Sequence, residues 1–220
     1  MTNYNELIEK KYKSVASVPE GLLSFTKKIR LRVINFLNLR EGDSVIDVGC
    51  GTGASFPYLV DFVGQNGKIW GVEPSVSMIK GAEARVQKEK WENIHLLQNR
   101  IEEIEPEYAF DGALLFAMHD VFNSMEGLEK IHSLLKDGAR IVCVGPKIQD
   151  KGFTKILNPF LHMLFKRMAI SQENKDEPWR LIEKVFSTES ISFENHGLLF
   201  IYVGKKLSRN VNFEIQNQEN

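Results

Sequence analysis

Ten residues, Ser44-Val45-Ile46-Asp47-Val48-Gly49-Cys50-Gly51-Thr52-Gly53, restrict the fold more than any other stretch of this chain. An apolar, β-branched run stops at three glycines in alternate positions, and a helical pattern of apolar residues follows. Glycine suits such a junction because the backbone must turn sharply and let a ligand approach without a Cβ in the way. The first turn of the following helix then offers unsatisfied N–H groups. The next apolar run, 68–72, closes on Glu73, 20 residues beyond Gly53. A carboxylate at the end of the neighbouring strand can accept hydrogen bonds from both hydroxyls of a ribose. Together these features imply a nucleoside-bearing ligand. They do not choose which, because Gly49, Gly51 and Ala54 also satisfy the G-x-G-x-x-G/A pattern of dinucleotide sites.

Beyond this loop, short apolar runs alternate with helical patterns, the signature of parallel strands joined by crossover helices. Strands are expected over 44–48, 68–72, 94–98, 111–116 and 140–144, and helices over 54–63, 75–90 and 125–135, with Ser75 as an N-cap. The fold class is therefore α/β, doubly wound. Ahead of the core, Leu22, Phe25, Ile29, Val33 and Phe36 recur at helical spacing, opposite a basic face of Lys27, Lys28, Arg30 and Arg32. After Pro146 the alternation stops. Residues 147–177 read as an insertion or lid, 178 to about 186 as a further helix, and 191–194 and 198–203 as an antiparallel hairpin turning at His196-Gly197. Residues 1–209 are expected to form one domain, with a helical cap (1–40), and 210–220 a polar, Asn/Gln-rich tail.

The formal net charge of -1 gives no whole-protein attraction for nucleic acid. Cys50 and Cys143 match no metal-ligand spacing, so no metal and no disulfide are expected. The amino terminus lacks the apolar run of a signal peptide, and no stretch reaches the roughly 18 to 20 apolar residues of a membrane span. A cytoplasmic protein is the expectation.

Four segments in order, Asp47-Val-Gly-Cys-Gly-Thr-Gly53, Gly71-Val-Glu-Pro-Ser75 with Met78, Phe110-Asp-Gly-Ala-Leu-Leu-Phe-Ala-Met-His119 and Leu134-Leu-Lys-Asp-Gly-Ala-Arg140, resemble the class I S-adenosylmethionine-dependent methyltransferases over roughly residues 40 to 146. The resemblance implies a seven-stranded sheet with helices on both faces and its last strand antiparallel. It implies S-adenosylmethionine as cofactor and S-adenosylhomocysteine as product. Gly49, Cys50, Gly51 and Gly53 would border the cofactor, Asp47 would hold its amino group, Glu73 its ribose, and Pro74, Met78 and Phe116 would line the site. Many relatives carry an Asp after the third strand for the adenine amino group, whereas this chain has Asn99, Arg100 and Ile101, which makes backbone groups, Asn99 or packing on Ile101 the candidates there.

Methyl transfer is an in-line displacement, so the protein's main task is alignment, and a base is needed only when the nucleophile must lose a proton. His119, after the fourth strand, is a candidate to orient the acceptor or take a proton. Its structural alternative is a turn histidine bonded to backbone. Tyr4 and Tyr12 lie on a segment that folds over the cofactor in many relatives, and Tyr12 is the candidate ring near the sulfonium. Ordinary packing is the alternative. No Asp/Asn-Pro-Pro-aromatic motif follows the fourth strand, which disfavours a nucleobase acceptor. In the insertion, Phe153, Ile156, Leu157, Phe160, Leu161, Leu164, Phe165 and Met168 interleave with Lys155, Lys166 and Arg167, and Asn158-Pro159 suits a helix start. Such a segment either walls a lipid-sized cavity as a lid or lies on the inner membrane face. With Pro178-Trp179-Arg180 and Gly204-Lys205-Lys206, it resembles methyltransferases of lipid head groups or quinones. The expected activity is methyl transfer to a small-molecule or lipid-like acceptor through an amine, a phenolic oxygen or an activated carbon. An NAD(P)-dependent oxidoreductase and a catalytically silent cofactor-binding module are the alternatives.

Overall fold

The computed structural model describes residues 9, 26–105, 109–148, 156, 158–159 and 176–207. The strands are β1 (Ser44–Val48), β2 (Lys68–Val72), β3 (Ile94–Leu97), β4 (Phe110–Phe116), β5 (Leu135–Pro146), β6 (Ser187–Glu194) and β7 (Leu199–Lys205). They form one sheet in the order β3-β2-β1-β4-β5-β7-β6. β1 to β5 pair in parallel, and β7 runs antiparallel between β5 and β6. From β1 the chain winds outward through β2 and β3, then returns to the other side of β1 to start β4. This reversal is the switch point at which doubly wound folds open a crevice beyond the strand carboxyl ends.

Both faces of the sheet are covered. Val45, Ile69, Leu114, Val142 and Ile201 pack with Val33 and Ile34 of α1 (Thr26–Phe36) and Phe56, Leu59 and Val63 of α2 (Phe56–Val63). α3 (Val76–Glu89) adds Ile79 and Ala82 to this layer. On the opposite face Ile46, Val48, Ala113, Leu115 and Tyr202 meet Leu128, Ile131 and Leu134 of α4 (Met125–Leu134). Strands buried on both faces read as continuous apolar runs, which is why 44–48 and 110–116 stand out in the sequence.

Local chemistry sets the element ends. Ser75 Oγ accepts from Met78 N (3.4 Å) at the start of α3, and Ser124 Oγ accepts from Gly127 N (3.0 Å) at the start of α4. α2 begins at Phe56 rather than 54, because Gly53 at φ 75 prolongs the turn and a proline occupies the first helical turn. β5 extends well beyond 140–144, since β7 pairs with it as far as Pro146 and Leu135 already pairs with Phe110. The expected helix from 178 to 186 is corrected to turns and a single 3-10 turn, Ile182–Lys184. Ile182 and Phe186 are both drawn into the core, and β6 begins at Ser187, which leaves too little chain to propagate a helix. The hairpin is present, longer than expected, and turns through Asn195, His196 and Gly197, all at positive φ.

Of the amino-terminal helical pattern, Leu22 and Phe25 lie outside the described residues. So do Tyr4 and Tyr12, nearly all of the 147–177 insertion, and the 210–220 tail.

Candidate functional site

The carboxyl ends of β1, β2 and β4 bring together most of the residues singled out in the sequence. Asp47, one residue from the end of β1, is 1% exposed, and its Oδ2 has no hydrogen-bond partner among the described residues. Glu73, immediately after β2, is 6% exposed and turned toward the glycine loop. Its Oε2 accepts from Gly51 N (3.1 Å) and its Oε1 from Ser75 N (2.9 Å). The loop is held by Gly49 N and Cys50 N, which both donate to Val72 O, and by Arg85 Nε, which donates to Thr52 O (2.9 Å).

Two of the glycines are required for different reasons. Gly51 sits at φ 57, and a Cβ there would meet nothing within 4 Å, so the position faces open space. Gly49, at φ 69, would place a Cβ 1.9 Å from Met118 Sδ. A close approach to Gly49 therefore comes from the protein itself, through a methionine carried by the β4–α4 connection. Ala117, at φ 63, supplies the backbone turn that delivers it.

Electrostatics concentrate at the same corner. Burial pushes the Asp47 carboxyl up to about 7, nearby Glu73 adds to the rise, and Arg30 and Ser55 oppose it. Glu73 is raised as well, first by burial, against the two backbone N–H bonds it accepts. Arg30, on α1, donates from Nη1 to Ser55 Oγ (2.6 Å), and its Cζ lies 3.8 Å from the centroid of the Phe116 ring at the end of β4. Burial lowers the Arg30 pKa while Asp47 raises it. The result is a buried acid and a stacked guanidinium side by side, an arrangement that matches both ends of an α-amino acid: Asp47 Oδ2 as an acceptor for an ammonium, Arg30 as a donor for a carboxylate.

Sequence reading missed four contributors. Arg30 passed for one charge on a solvated helix face, because only the packing of α1 across the sheet edge brings it to Asp47. Ser55 and Met118 gave no separate signal. Glu9 also reaches this corner: its Oε2 accepts from Ser75 Oγ (2.9 Å) and Ser77 N (3.2 Å) at the start of α3. Burial alone would raise its pKa, but the bonds from Ser77 and Ser75 outweigh that and hold it below the usual range.

Met78 is buried at the first turn of α3, Ile101 is buried beyond β3, and Pro74 is half-buried between Glu73 and Ser75. Asn99 is exposed. The Arg100 guanidinium lies 3.3 Å from Glu102 Oε1, which holds this side chain within its own turn, and the Arg100 backbone N–H donates to Glu103 Oε2 (3.1 Å). Cys50 packs into the core with its Sγ 3.7 Å from Gly51 O. Burial, reinforced by Asp47 and Glu73, keeps the thiol protonated. It offers the loop its backbone rather than a nucleophile. His119 is buried, with Nε2 2.8 Å from Pro146 O and its ring edge-on to Phe122 at 5.4 Å. A ring nitrogen bonded to a carbonyl must carry its proton, so Nε2 is a donor that ties the end of β4 to the end of β5. Asp120 is half-buried in the same one-turn helix, His119–Phe122.

A family model described as a methyltransferase domain matches residues 39–192, the span containing the loop, the acid and the switch point. The chain belongs to this methyltransferase family. The match selects that reading of the glycine loop over the nicotinamide one. Demethylmenaquinone methyltransferase of Geobacillus stearothermophilus is 29% identical over 128 residues, covering 56% of this chain and 55% of the relative, so the chain spans little more than half the length of such relatives. Among solved structures, a SAM-dependent methyltransferase from Aquifex aeolicus has a TM-score of 0.63 at 21% identity, covering 81% of this chain and 89% of its own. Geranyl diphosphate C-methyltransferase from Streptomyces coelicolor A3(2), solved with S-adenosyl-L-homocysteine, has a TM-score of 0.63 at 11% identity, covering 82% and 80%. These two likenesses show the shared methyltransferase fold. Among the described residues no helix is long and apolar enough to cross a membrane.

Proposed function

We propose that the chain catalyses S-adenosylmethionine-dependent methyl transfer to a small or lipid-like acceptor. One observation carries the reading: Asp47, buried with an oxygen that has no hydrogen-bond partner among the described residues, sits beside a loop whose Gly51 faces open space and whose N–H already meets Glu73. In this reading Asp47 accepts from the cofactor's ammonium, Arg30 pairs with its carboxylate, and Glu73 takes the ribose hydroxyls. Met78, Pro74 and Ile101 border the adenine, with Asn99 and the backbone of Arg100 at its rim. Bound there, the sulfonium supplies a methyl group activated for attack by an acceptor nucleophile. The protein's share is alignment and exclusion of water, since buried Asp47 and Glu73 fix one reactant while the β4–α4 connection walls the other side. His119 is given a positioning role, because its Nε2 proton is committed to Pro146.

The named activity of the Geobacillus relative supports a quinone-type ring as the acceptor class. A contact of residues 153–168 with a membrane surface belongs to the same proposal. Calorimetric titration tests the cofactor: S-adenosylhomocysteine is expected to bind and raise the melting temperature, and NADH to do neither. Binding of NADH alone would overturn the reading. Incubation with labelled cofactor and a lipid and metabolite extract then separates an enzyme, which labels an acceptor, from a silent binding module, which labels none.

A further inference from the structure

The helix that starts beside the ribose acid lacks an acid of its own. Ser75 caps α3 by accepting from Met78 N (3.4 Å), and the third helical position, where a Glu or Gln would complete a capping box, is Met78. No acidic residue occupies the first turn of this 14-residue helix. Glu9, 66 positions before the cap, takes that place: its Oε2 accepts from Ser75 Oγ (2.9 Å) and from Ser77 N (3.2 Å). A carboxylate there also meets the partial positive charge of the helix start. Supplying the acid from a distant part of the chain leaves the third position free for a buried methionine, the residue that the methyl-transfer reading sets against the adenine.

Ser75 joins this acid to Glu73. Its hydroxyl donates to Glu9 and accepts from Met78 N, while its own N–H donates to Glu73 Oε1 (2.9 Å). With both hydroxyl roles committed, the residue is held at φ -78 and ψ 124, the extended conformation in which its N–H meets Glu73. Gly51 N holds the other Glu73 oxygen (3.1 Å). Two of the roughly four acceptor positions of that carboxylate are thereby used, which fixes its plane and leaves the remainder for a diol. Charge alone would act in the opposite sense: burial is the first cause that raises Glu73, and Glu9 adds to the rise, so a negative charge at position 9 disfavours the ionised ribose acid. What Glu9 gives Glu73 is therefore orientation. We propose that Glu9 is a positioning residue for the cofactor: through Ser75 it sets the orientation of the Glu73 carboxylate toward the ribose hydroxyls. The role rests on the methyl-transfer reading above, in which Glu73 takes the ribose.

The test is a double-mutant cycle in the full chain, Glu9→Ala against Glu73→Ala, read as S-adenosylhomocysteine affinity by calorimetric titration. Melting temperatures without ligand check that each variant is folded under the titration. Glu9→Ala is expected to weaken S-adenosylhomocysteine about fivefold or more, and 5′-methylthioadenosine, which carries the same ribose, by the same factor. In the Glu73→Ala background the same change should alter affinity by less than about twofold, because no ribose acid remains to be oriented. Glu9→Gln, which keeps an acceptor oxygen for Ser75 and Ser77, should bind within about twofold of wild type, a rescue that loss of charge alone would not give. Equal losses in the two backgrounds overturn the proposal, since they would assign Glu9 to capping of α3 alone, and unchanged affinity in Glu9→Ala overturns it as well. Failure of the wild-type protein to bind S-adenosylhomocysteine removes the methyl-transfer reading, and this proposal with it.

Discussion

Replacing Asp47 with asparagine isolates the charge that the fold buries most completely. In the unfolded chain this carboxyl ionises near 3.8, and in the folded protein near 7. Between those values the folded state keeps a proton that the unfolded state has released, so stability falls as pH rises through the window and is flat on either side. A gap of about three pH units at about 1.4 kcal/mol each amounts to about 4 kcal/mol of destabilisation above pH 7, none of which remains below pH 3.8. Asparagine occupies nearly the same volume and carries no charge. Asp47→Asn should therefore match wild type near pH 4 and exceed it by roughly 10 °C in melting temperature at pH 8.5, at about 2 to 4 °C per kcal/mol for a domain of this size. Glu73, also raised by burial, adds a slope of the same sign in both proteins. The assay is scanning calorimetry from pH 4 to 8.5, with and without S-adenosylhomocysteine. Saturating ligand should flatten the wild-type profile, because an ammonium at Asp47 favours the ionised form. Parallel profiles for the two proteins without ligand would refute the argument, since they would mean that Asp47 is not desolvated in the folded state.

The remaining expectations concern ligand affinity. Glu73→Ala should weaken S-adenosylhomocysteine binding by about 1 to 3 kcal/mol through loss of the ribose acceptor, measured by calorimetric titration. Gly51→Arg should abolish binding by filling the open space that the loop faces, and unchanged affinity in both variants would remove the loop from the site. Arg30→Met should weaken S-adenosylhomocysteine about tenfold or more while leaving 5′-methylthioadenosine, which lacks the amino-acid moiety, unaffected. Equal losses for the two ligands would instead assign Arg30 to packing alone.

The strand–loop–helix at 44–63 and the acid at 73 could be recognised in the linear chain because their meaning is local. A positive φ demands glycine, a strand buried on both faces demands an apolar run, and twenty residues of crossover fix where the next strand must end. The same logic located the parallel strands and the terminal hairpin. It failed at 178–186, where an apparently helical pattern was overridden by the pull of Ile182 and Phe186 into the core and by the nearby start of β6.

By itself, then, the order of residues determined the doubly wound architecture, the glycine turn and the carboxylate that answers it, since each follows from backbone conformation within a few dozen positions. Only the tertiary structure decided that Arg30 stands beside Asp47, that Met118 fills the space over Gly49, and that Lys147 lies by Phe193. Those pairs join residues 17, 69 and 46 positions apart in the chain. Their proximity depends on strand order and on which face each side chain takes, and neither is written in the spacing of the residues themselves.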